Sequence, residues 1–251
     1  MNKKLKIKNI FGENLDLLLE GKEASKRIVI FVHGYGTDKD EGFASFLEFS
    51  RYIIDDFLII RFDLSGYGAS EGDQREFQFQ KAAGDVDSDI RFARKTYPRK
   101  DIYIIAHSLG TFIVSLLSPN GIKKIVFTSI INSNTTYVSQ KLEERILSKG
   151  GKVNKNGISV YPRTQGATQI IGKDFWRTLE NISPVEYITD LGKKTQLAIF
   201  KPKQDEVLEY KYFDEYKKIK GIKYYEVNGD HNFKNPNERR ALFRKVREFL
   251  L

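Results

Sequence analysis

Ser108 has the sequence surroundings of a serine nucleophile. It is the central residue of Ala-His-Ser-Leu-Gly, residues 106–110, which follows the β-branched run 102–105. A strand, a sharp turn and a helix with serine at the apex form a nucleophile elbow, in which the residues two before and two after the serine must be small. Gly110 meets this requirement fully, and Ala106 meets it with one extra methyl group. The pattern also arises by chance, so an ordinary strand-to-helix turn is the alternative.

Three histidines are candidates for the base that a serine hydroxyl requires. Imidazole usually takes the hydroxyl proton, and a carboxylate holds the ring in the required tautomer. His231 is favoured because it follows the last predicted strand, close to Gly229, although a solvated loop histidine is the alternative. His107 adjoins Ser108 and is interpreted as a packing residue and a candidate substrate contact. His33 ends a predicted strand, where we expect it to shape the following loop by hydrogen bonding.

Asp205 is the favoured carboxylate partner of His231. It follows the penultimate predicted strand and precedes His231 in the chain. A turn or helix-capping aspartate is the alternative interpretation, and the adjacent Glu206 is the rival acid. Asp230 is too close to His231 in sequence to orient the ring easily. The order Ser108, Asp205, His231 differs from the order in the two main types of serine protease.

Two backbone amides are predicted to stabilise the oxyanion that forms when a serine attacks a carbonyl. One is the N–H of Leu109, directly after the predicted nucleophile. The other is the N–H of Tyr35 in the sequence His-Gly-Tyr-Gly, residues 33–36, where the glycines let the loop turn an amide inward. The adjacent Gly34 is a candidate substrate contact. Losing one oxyanion donor typically lowers turnover about 100- to 1000-fold.

The elements that must position these residues alternate between strands and helices. This order predicts an α/β fold with a mostly parallel central sheet and helices on both faces. In such a sheet, functional residues lie at the carboxyl ends of the strands, which is where the candidates lie. An edge hairpin is predicted at 4–10 and 15–19. The other predicted strands are 28–32, 57–62, 101–106, 125–130, 196–200 and 223–227, and the predicted helices are 43–54, 79–97, 111–117, 184–191, 210–219 and 238–250.

The alternation is interrupted between residues 131 and 186. This stretch is polar, contains several glycines and holds the only tryptophan, Trp176. Long connections inside compact domains are usually functional or have structure of their own. We therefore expect residues 132–186 to form an inserted cap or lid, with residues 1–131 and 187–251 as the core. Within the cap, Tyr161 and Trp176 are candidate substrate-binding residues.

The composition narrows the possible classes of protein. The 251 residues are 40% hydrophobic, enough for one large α/β domain. The net charge of +9 comes from dispersed lysines and arginines rather than a basic block or a nucleic-acid motif, so we expect no nucleic-acid partner. The absence of cysteine excludes disulfides and a cysteine nucleophile. The amino terminus lacks a continuous apolar stretch, which predicts a soluble cytoplasmic protein without integral membrane association.

Taken together, these motifs resemble those of the α/β-hydrolase superfamily. The resemblance covers essentially the whole chain and rests on residues 33–36, 63–72, 106–110, Asp205 and residues 229–231. The segment 61–72 and the acidic helix after it resemble the cinnamoyl and feruloyl esterases, and a single mid-chain cap is similar to theirs and to that of monoacylglycerol lipases. The resemblance implies an α/β-hydrolase fold with Ser108, Asp205 and His231 as the triad.

The sequence therefore predicts a serine hydrolase that cleaves carboxylic esters with small, medium or aromatic acyl groups and uses neither a cofactor nor a metal. The same triad would also serve a thioesterase, a monoacylglycerol lipase or a peptidase. A non-catalytic binding protein with a hydrolase fold is the less favoured alternative. The expected partner is a small-molecule ester, and the sequence does not determine the oligomeric state.

Overall fold

A computed structural model describes residues 1–163, 167–209 and 211–251 of the chain. In these residues a twisted sheet of eight strands is flanked by helices on both faces. The strands of this sheet are β1 (Asn2–Lys8), β2 (Asn14–Gly21), β3 (Arg27–Val32), β4 (Leu58–Phe62), β5 (Asp101–His107), β6 (Lys124–Thr128), β9 (Gln196–Pro202) and β10 (Lys223–Val227), and a separate hairpin consists of β7 (Ser159–Pro162) and β8 (Thr168–Ile171). The helices are α1 (Ser45–Ile53), α2 (Phe79–Thr96), α3 (Leu109–Leu117), α4 (Thr135–Ser148), α5 (Lys173–Glu180), α6 (Pro184–Lys194), α7 (Asp214–Lys217) and α8 (Pro236–Leu250).

The strand order in the large sheet is β1-β2-β4-β3-β5-β6-β9-β10. The first two strands form the predicted edge hairpin, β2 also runs antiparallel to β4, and the remaining neighbours are parallel. At the centre, Ile30 of β3 is in register with Ile60 of β4 and Ile104 of β5. Parallel pairing brings the carboxyl ends of these strands to one edge of the sheet. The predicted fold class is confirmed.

Both faces of the sheet are buried, which explains the continuous apolar runs of its central strands. Ile28 and Ile30 of β3 face one core cluster, to which α2, α3 and α6 contribute. The alternate residues Val29 and Phe31 face the other cluster, which α1 and α8 cover. Helices therefore pack on both sides, as the alternation of elements predicts.

Several helix boundaries differ from the predictions for physical reasons. The helix predicted at 43–54 begins at Ser45, because Phe43 and Ala44 have positive φ angles of 56° and 55°. The helix predicted at 210–219 was placed too broadly, since α7 spans only Asp214–Lys217. Tyr212 has a φ of 62° and its carbonyl accepts hydrogen bonds from the backbone and side chain of Ser133. The predicted first residue of that helix, Tyr210, lies outside the described residues.

The stretch between β6 and α6 has structure of its own. We call α4, β7, β8 and α5 together the inserted segment. Its strands pair antiparallel, with Ser159 opposite Ile171, and Ile146 of α4 is fully buried. Helix α6 starts at Pro184 and so spans the predicted boundary between 186 and 187. In the part of the chain that the structure describes, no helix is both long and apolar enough to cross a membrane.

Candidate active site

Ser108 lies at a strained turn between β5 and α3. Its backbone angles are φ 49° and ψ −121°, a conformation that residues with a side chain rarely adopt. A Cβ atom at Gly110 would lie 2.5 Å from the carbonyl oxygen of Val32, so only glycine fits there. Ala106 is buried within the sheet between Val32 and Phe127, where a single methyl group is accommodated. The local structure is that of a nucleophile elbow.

The three residues predicted as a triad form one continuous chain of hydrogen bonds. Nε2 of His231 lies 2.9 Å from Oγ of Ser108. On the other side of the ring, Nδ1 of His231 lies 3.0 and 3.1 Å from the two carboxylate oxygens of Asp205. A proton on Nδ1 is therefore donated to Asp205, which leaves Nε2 free to accept the serine proton. All three side chains meet at the carboxyl edge of the sheet.

The loop after β10 holds His231 from its backbone. Its N–H donates to Oε2 of Glu206 at 2.9 Å, and its carbonyl accepts from the hydroxyl of Ser129 at 2.6 Å. Gly229 precedes it with a φ of 138°, which strongly favours glycine, and a Cβ there would lie 2.5 Å from the ring of Phe233. These contacts fix the ring's position independently of its own hydrogen bonds.

Asp205 is buried and uses every available acceptor direction. Its Oδ1 accepts the backbone N–H groups of Val207 at 3.0 Å and Leu208 at 2.9 Å, and its Oδ2 accepts from Nζ of Lys201 at 2.9 Å. Burial alone would raise the pKa of this carboxyl. The adjacent His231 and Lys201 outweigh that effect and hold the pKa of Asp205 below its usual range. The carboxyl is thus ionised under all conditions in which His231 has to be oriented.

The predicted oxyanion loop follows β3 and lies against the nucleophile. Tyr35 and Leu109 both line the pocket that contains Ser108. A Cβ atom placed on Gly34 would lie 3.2 Å from Cβ of Ser108, which shows how closely the loop approaches the serine. The amide of Gly34 donates to the carboxylate of Glu41 at 2.5 Å. This hydrogen bond holds the loop in place beside the pocket, which Glu41 also lines.

The pocket above Ser108 is walled partly by the core and partly by the inserted segment. Helix α5 contributes Phe175 and Leu179, one turn apart, and β7 contributes Tyr161. Helix α4 contributes apolar and basic side chains that share one face, namely Val138, Lys141, Leu142 and Arg145. The inserted segment thus shapes the space into which a substrate would extend from the serine.

Comparison with known proteins agrees with this architecture. The family model described as the alpha/beta hydrolase fold matches residues 27–149. The part of the chain that this model covers is thus similar to the family, and the chain has the α/β-hydrolase fold. No curated protein sequence matches the chain significantly.

Solved structures with the same fold cover nearly the whole chain. The esterase Est1E of Butyrivibrio proteoclasticus with ferulic acid bound has a TM-score of 0.76 at 17% identity, over 98% of this chain and 97% of that one. The esterase domain of a Rhodothermus marinus protein has a TM-score of 0.73 at 16% identity, over 99% and 97%. Mouse alpha/beta hydrolase domain-containing protein 10 has a TM-score of 0.71 at 17% identity, over 99% and 98%. At sequence identities this low, the similarity shows a shared fold only.

The rival acids make other contacts in this structure. Glu206 accepts from the backbone of His231 and pairs with Lys234 at 2.8 Å, so it holds the loop and not the imidazole ring. Oδ1 of Asp230 accepts the backbone N–H groups of Asn232 and Lys234, which closes the turn around His231. Of the three candidates, only Asp205 contacts Nδ1.

The two other histidines behave as their positions predict. His33 donates from Nδ1 to the carbonyl of Gly34 at 2.8 Å and accepts the amide of Leu64 at Nε2, which ties the oxyanion loop to the end of β4. His107 is buried, lines the pocket and has its Nδ1 3.0 Å from the hydroxyl of Thr128. Burial lowers the pKa of His107 to about 4, so the ring is neutral at pH 7.

Trp176 does not belong to the pocket wall, which corrects the expectation from the sequence. Its ring is buried inside the inserted segment, and its indole N–H donates to the hydroxyl of Ser159 at 3.1 Å. The preceding residue, Phe175, lines the pocket instead. Successive residues of a helix are separated by about 100° around its axis, so the two side chains point to different surroundings. The other predicted pocket residues, Gly34, His107 and Tyr161, do line the pocket.

Two important residues of the site have no recognisable motif. Lys201 pairs with Asp205, and both side chains have 0% exposure. Glu41 accepts from the amides of Gly34 and Gly42, has a positive φ of 58° and lines the pocket. The only sequence signal for Lys201 is a lysine at the end of an otherwise apolar strand. Nothing in the sequence around Glu41 distinguishes it from the other charged residues of its loop.

The described residues include no group of three or more histidine, cysteine, aspartate or glutamate side chains arranged to hold a metal ion. The arrangement of Ser108, His231 and Asp205 is suited to the chemistry of an activated serine. The hydroxyl, the imidazole and the carboxylate are hydrogen-bonded in sequence, beside a pocket that Tyr35 and Leu109 line together with apolar and charged side chains. This arrangement suits attack on a carbonyl carbon.

Proposed function

We propose that this hydrolase is a serine carboxylesterase that acts on esters with small, medium or aromatic acyl groups, with Ser108, His231 and Asp205 as its catalytic triad. The observation that carries the proposal is the hydrogen-bond chain from Oγ of Ser108 through the imidazole of His231 to the carboxylate of Asp205, at 2.9 and 3.0 Å. This geometry needs no rearrangement before the serine proton is transferred.

In the proposed reaction, Oγ of Ser108 attacks the ester carbonyl while Nε2 of His231 accepts its proton. The amides of Tyr35 and Leu109 stabilise the resulting oxyanion. His231 then protonates the leaving alcohol, and the acyl group stays on Ser108. Water, deprotonated by His231, attacks this acyl-enzyme and releases the acid. Asp205 keeps Nδ1 protonated throughout and stabilises the imidazolium.

The structural neighbours support an ester as the substrate. They include esterases, one of them with ferulic acid bound, and their folds match this chain over almost its full length. The aromatic residues beside the serine are compatible with an aromatic or a medium-length aliphatic acyl group, since the rings of Tyr35 and Phe175 lie 4.7 Å apart on the pocket wall. We also propose that the protein is cytoplasmic.

The test is hydrolysis of p-nitrophenyl esters from acetate to palmitate, with methyl ferulate and an acyl thioester of matched chain length alongside. We expect turnover of short and medium esters and its loss in Ser108→Ala. Exclusive turnover of the thioester would assign the triad to a thioesterase. No turnover of any substrate by folded protein would contradict the proposal and favour a binding protein.

A further inference from the structure

The wall of the pocket contributed by the inserted segment carries an unusual concentration of positive charge. Lys141, Arg145 and Arg163 all line the same pocket as Ser108. Lys141 and Arg145 line this pocket from α4, together with the apolar Val138 and Leu142. These four residues share one helix face because they are separated by three, four and seven positions. An ester with an uncharged acyl group would form no ion pair with these cations.

Within the described residues, two of the three charges have no carboxylate partner. Lys141 pairs with Glu144 at 2.9 Å and with Glu209 at 3.1 Å. Within the described residues, neither Arg145 nor Arg163 has an ion pair with a carboxylate. The side chain of Arg163 instead lies over the ring of Tyr161 at 5.1 Å, a contact that leaves its N–H donors available.

Both arginines are half-buried and lie close to further positive charge. The pKa of the nearby Lys149 is lowered, first by burial and then by the positive charges of Arg145 and Arg163. Positive charges held close together in a partly desolvated wall repel each other. Binding of an anion offsets this repulsion. A guanidinium group is also the side chain best suited to a two-point contact with a carboxylate or a phosphate.

The position of Arg163 connects this charge to the reaction centre. A Cβ atom on Gly36 would lie 3.2 Å from the guanidinium carbon of Arg163, so the arginine rests against the predicted oxyanion loop. The acidic residue on the pocket wall, Glu41, already accepts the two backbone amides of Gly34 and Gly42 and forms no ion pair with either arginine in the described residues. Space for an anion next to the arginines is therefore not occupied by an internal carboxylate.

We propose that Arg145 and Arg163 form a subsite for an oxyanion, so that the preferred substrate is an ester that carries a carboxylate or a phosphate joined to the ester group through an apolar spacer. This inference rests on the proposed esterase function and narrows its substrate class. The reaction is unchanged. The acyl C–O bond of the half-ester breaks, water supplies the hydroxyl group of the new acid, and the alcohol leaves with the proton from His231.

The test compares substrates that differ only in charge. Monomethyl and dimethyl esters of succinic, adipic and suberic acids form such pairs. We expect kcat/KM for the best half-ester to exceed that for its diester by about tenfold, the effect of one charge-assisted hydrogen bond in a partly buried site. Arg145→Gln or Arg163→Gln should lower kcat/KM for the half-ester much more than for the diester, and so remove most of this preference. High salt should also reduce the preference for the half-ester, since salt screens the attraction between its carboxylate and the arginines.

The matched control is Arg177→Gln. Arg177 belongs to the inserted segment, is 68% exposed in its side chain and pairs with Asp174, so this variant loses the same charge away from the pocket. The preference of Arg177→Gln for the half-ester over the diester should equal that of the unmodified protein. Equal turnover of half-ester and diester, or a preference that survives in both arginine variants, would overturn the subsite and leave the esterase proposal standing.

Competitive inhibition and direct binding complete the test. Hexyl phosphate, hexanoate and hexanol, compared as inhibitors of p-nitrophenyl butyrate hydrolysis, identify which anion is preferred; equal inhibition by all three contradicts the subsite. If neither methyl ester is hydrolysed, the subsite is judged by calorimetry with Ser108→Ala, while the esterase proposal is judged separately by the p-nitrophenyl ester series. Tighter binding of monomethyl than of dimethyl adipate then supports it, and equal binding overturns it.

Discussion

The ammonium group of Lys201 lies 2.9 Å from the carboxylate of Asp205, and the side chains of both residues have 0% exposure. The same carboxylate faces Nδ1 of His231. The proposed triad acid is therefore shared between an imidazole and a buried lysine. Burial lowers the pKa of Lys201, and the charge of Asp205 offsets part of that effect. The pair ties the end of β9 to the orientation of the catalytic base.

Lys201→Met tests whether this cation tunes the base. The positive charge of Lys201 opposes formation of a second charge on the nearby imidazole. Without it, we expect the acid limb of the kcat/KM profile to move to higher pH. Breaking a buried ion pair should also lower the free energy of unfolding by about 3 kcal/mol. A pH–rate profile and urea unfolding measure the two effects, with Lys203→Met, in the following exposed turn, as the control. An unchanged acid limb would limit Lys201 to a structural role.

The identity of the acid is tested by two isosteric substitutions. Asp205→Asn removes the carboxylate that contacts Nδ1 and should lower kcat about 10⁴-fold, because the amide favours the wrong tautomer of the imidazole. Glu206→Gln keeps an acceptor for the amide of His231 and should lower kcat less than about tenfold. Steady-state kinetics on p-nitrophenyl butyrate compare the two variants. The reverse order of the two effects would contradict the assignment of Asp205.

Much of this site follows from local sequence requirements. The elbow demands glycine at 110 because a side chain there would collide with the carbonyl of Val32, and such a demand is visible in a single motif. His231 and Asp205 follow strands whose apolar runs are evident, so the order of elements places them at one edge of the sheet. The parallel sheet itself follows from strand and helix alternation.

Other parts depend on contacts between distant segments and leave no local pattern. Lys201 could be recognised as a partner of Asp205 only once the loop after β9 was seen to fold back. On α5, Phe175, Trp176 and Leu179 are all buried, so apolar periodicity does not distinguish the pocket side from the interior side. The short α7 begins two residues after Tyr212, whose left-handed conformation is not revealed by propensity.

Glu41 is expected to position the oxyanion loop. Its two carboxylate oxygens accept the amides of Gly34 and Gly42. Glu41→Gln replaces one acceptor by an NH₂ group that repels an amide, so the loop should shift. We expect kcat to fall about 10- to 100-fold with little change in KM, since misplacing an oxyanion donor costs up to about 1000-fold.

The control for this variant is Asp38→Asn, in the same loop but exposed. Its kcat should stay within about twofold of the unmodified protein, as surface substitutions usually have small effects. Equal kcat for Glu41→Gln and Asp38→Asn would show that the carboxylate of Glu41 is not needed to place the loop.

Asp89 of α2 gives a prediction about stability that does not involve the active site. Its carboxyl is fully buried, and within the described residues neither oxygen has a hydrogen-bond partner. Burial, and then the charge of Asp85, raise the pKa of Asp89 well above its usual range. In the unfolded chain the same group ionises near pH 4. Folding stability should therefore decrease as the pH rises from about 4 toward the pKa of the folded state.

Asp89→Asn removes this ionisation. We expect the variant to be more stable than the unmodified protein at pH 8 by about 1–3 kcal/mol, with the difference shrinking toward pH 4. Urea unfolding at pH 4, 6 and 8 measures it. Asp87→Asn, on the same helix and paired with Arg91 at the surface, is the control and should show no such trend. A pH-independent difference for Asp89→Asn would contradict the proposed ionisation.

The most direct test of the central claim is covalent labelling of the serine. A fluorophosphonate probe reacts with a serine hydroxyl only when a neighbouring base activates it. The account predicts one label per chain, attached to Ser108 by peptide mass spectrometry, that is lost in Ser108→Ala and strongly slowed in His231→Ala. A folded protein that remains unlabelled, or is labelled elsewhere with Ser108 intact, would contradict the assignment of Ser108 as the nucleophile.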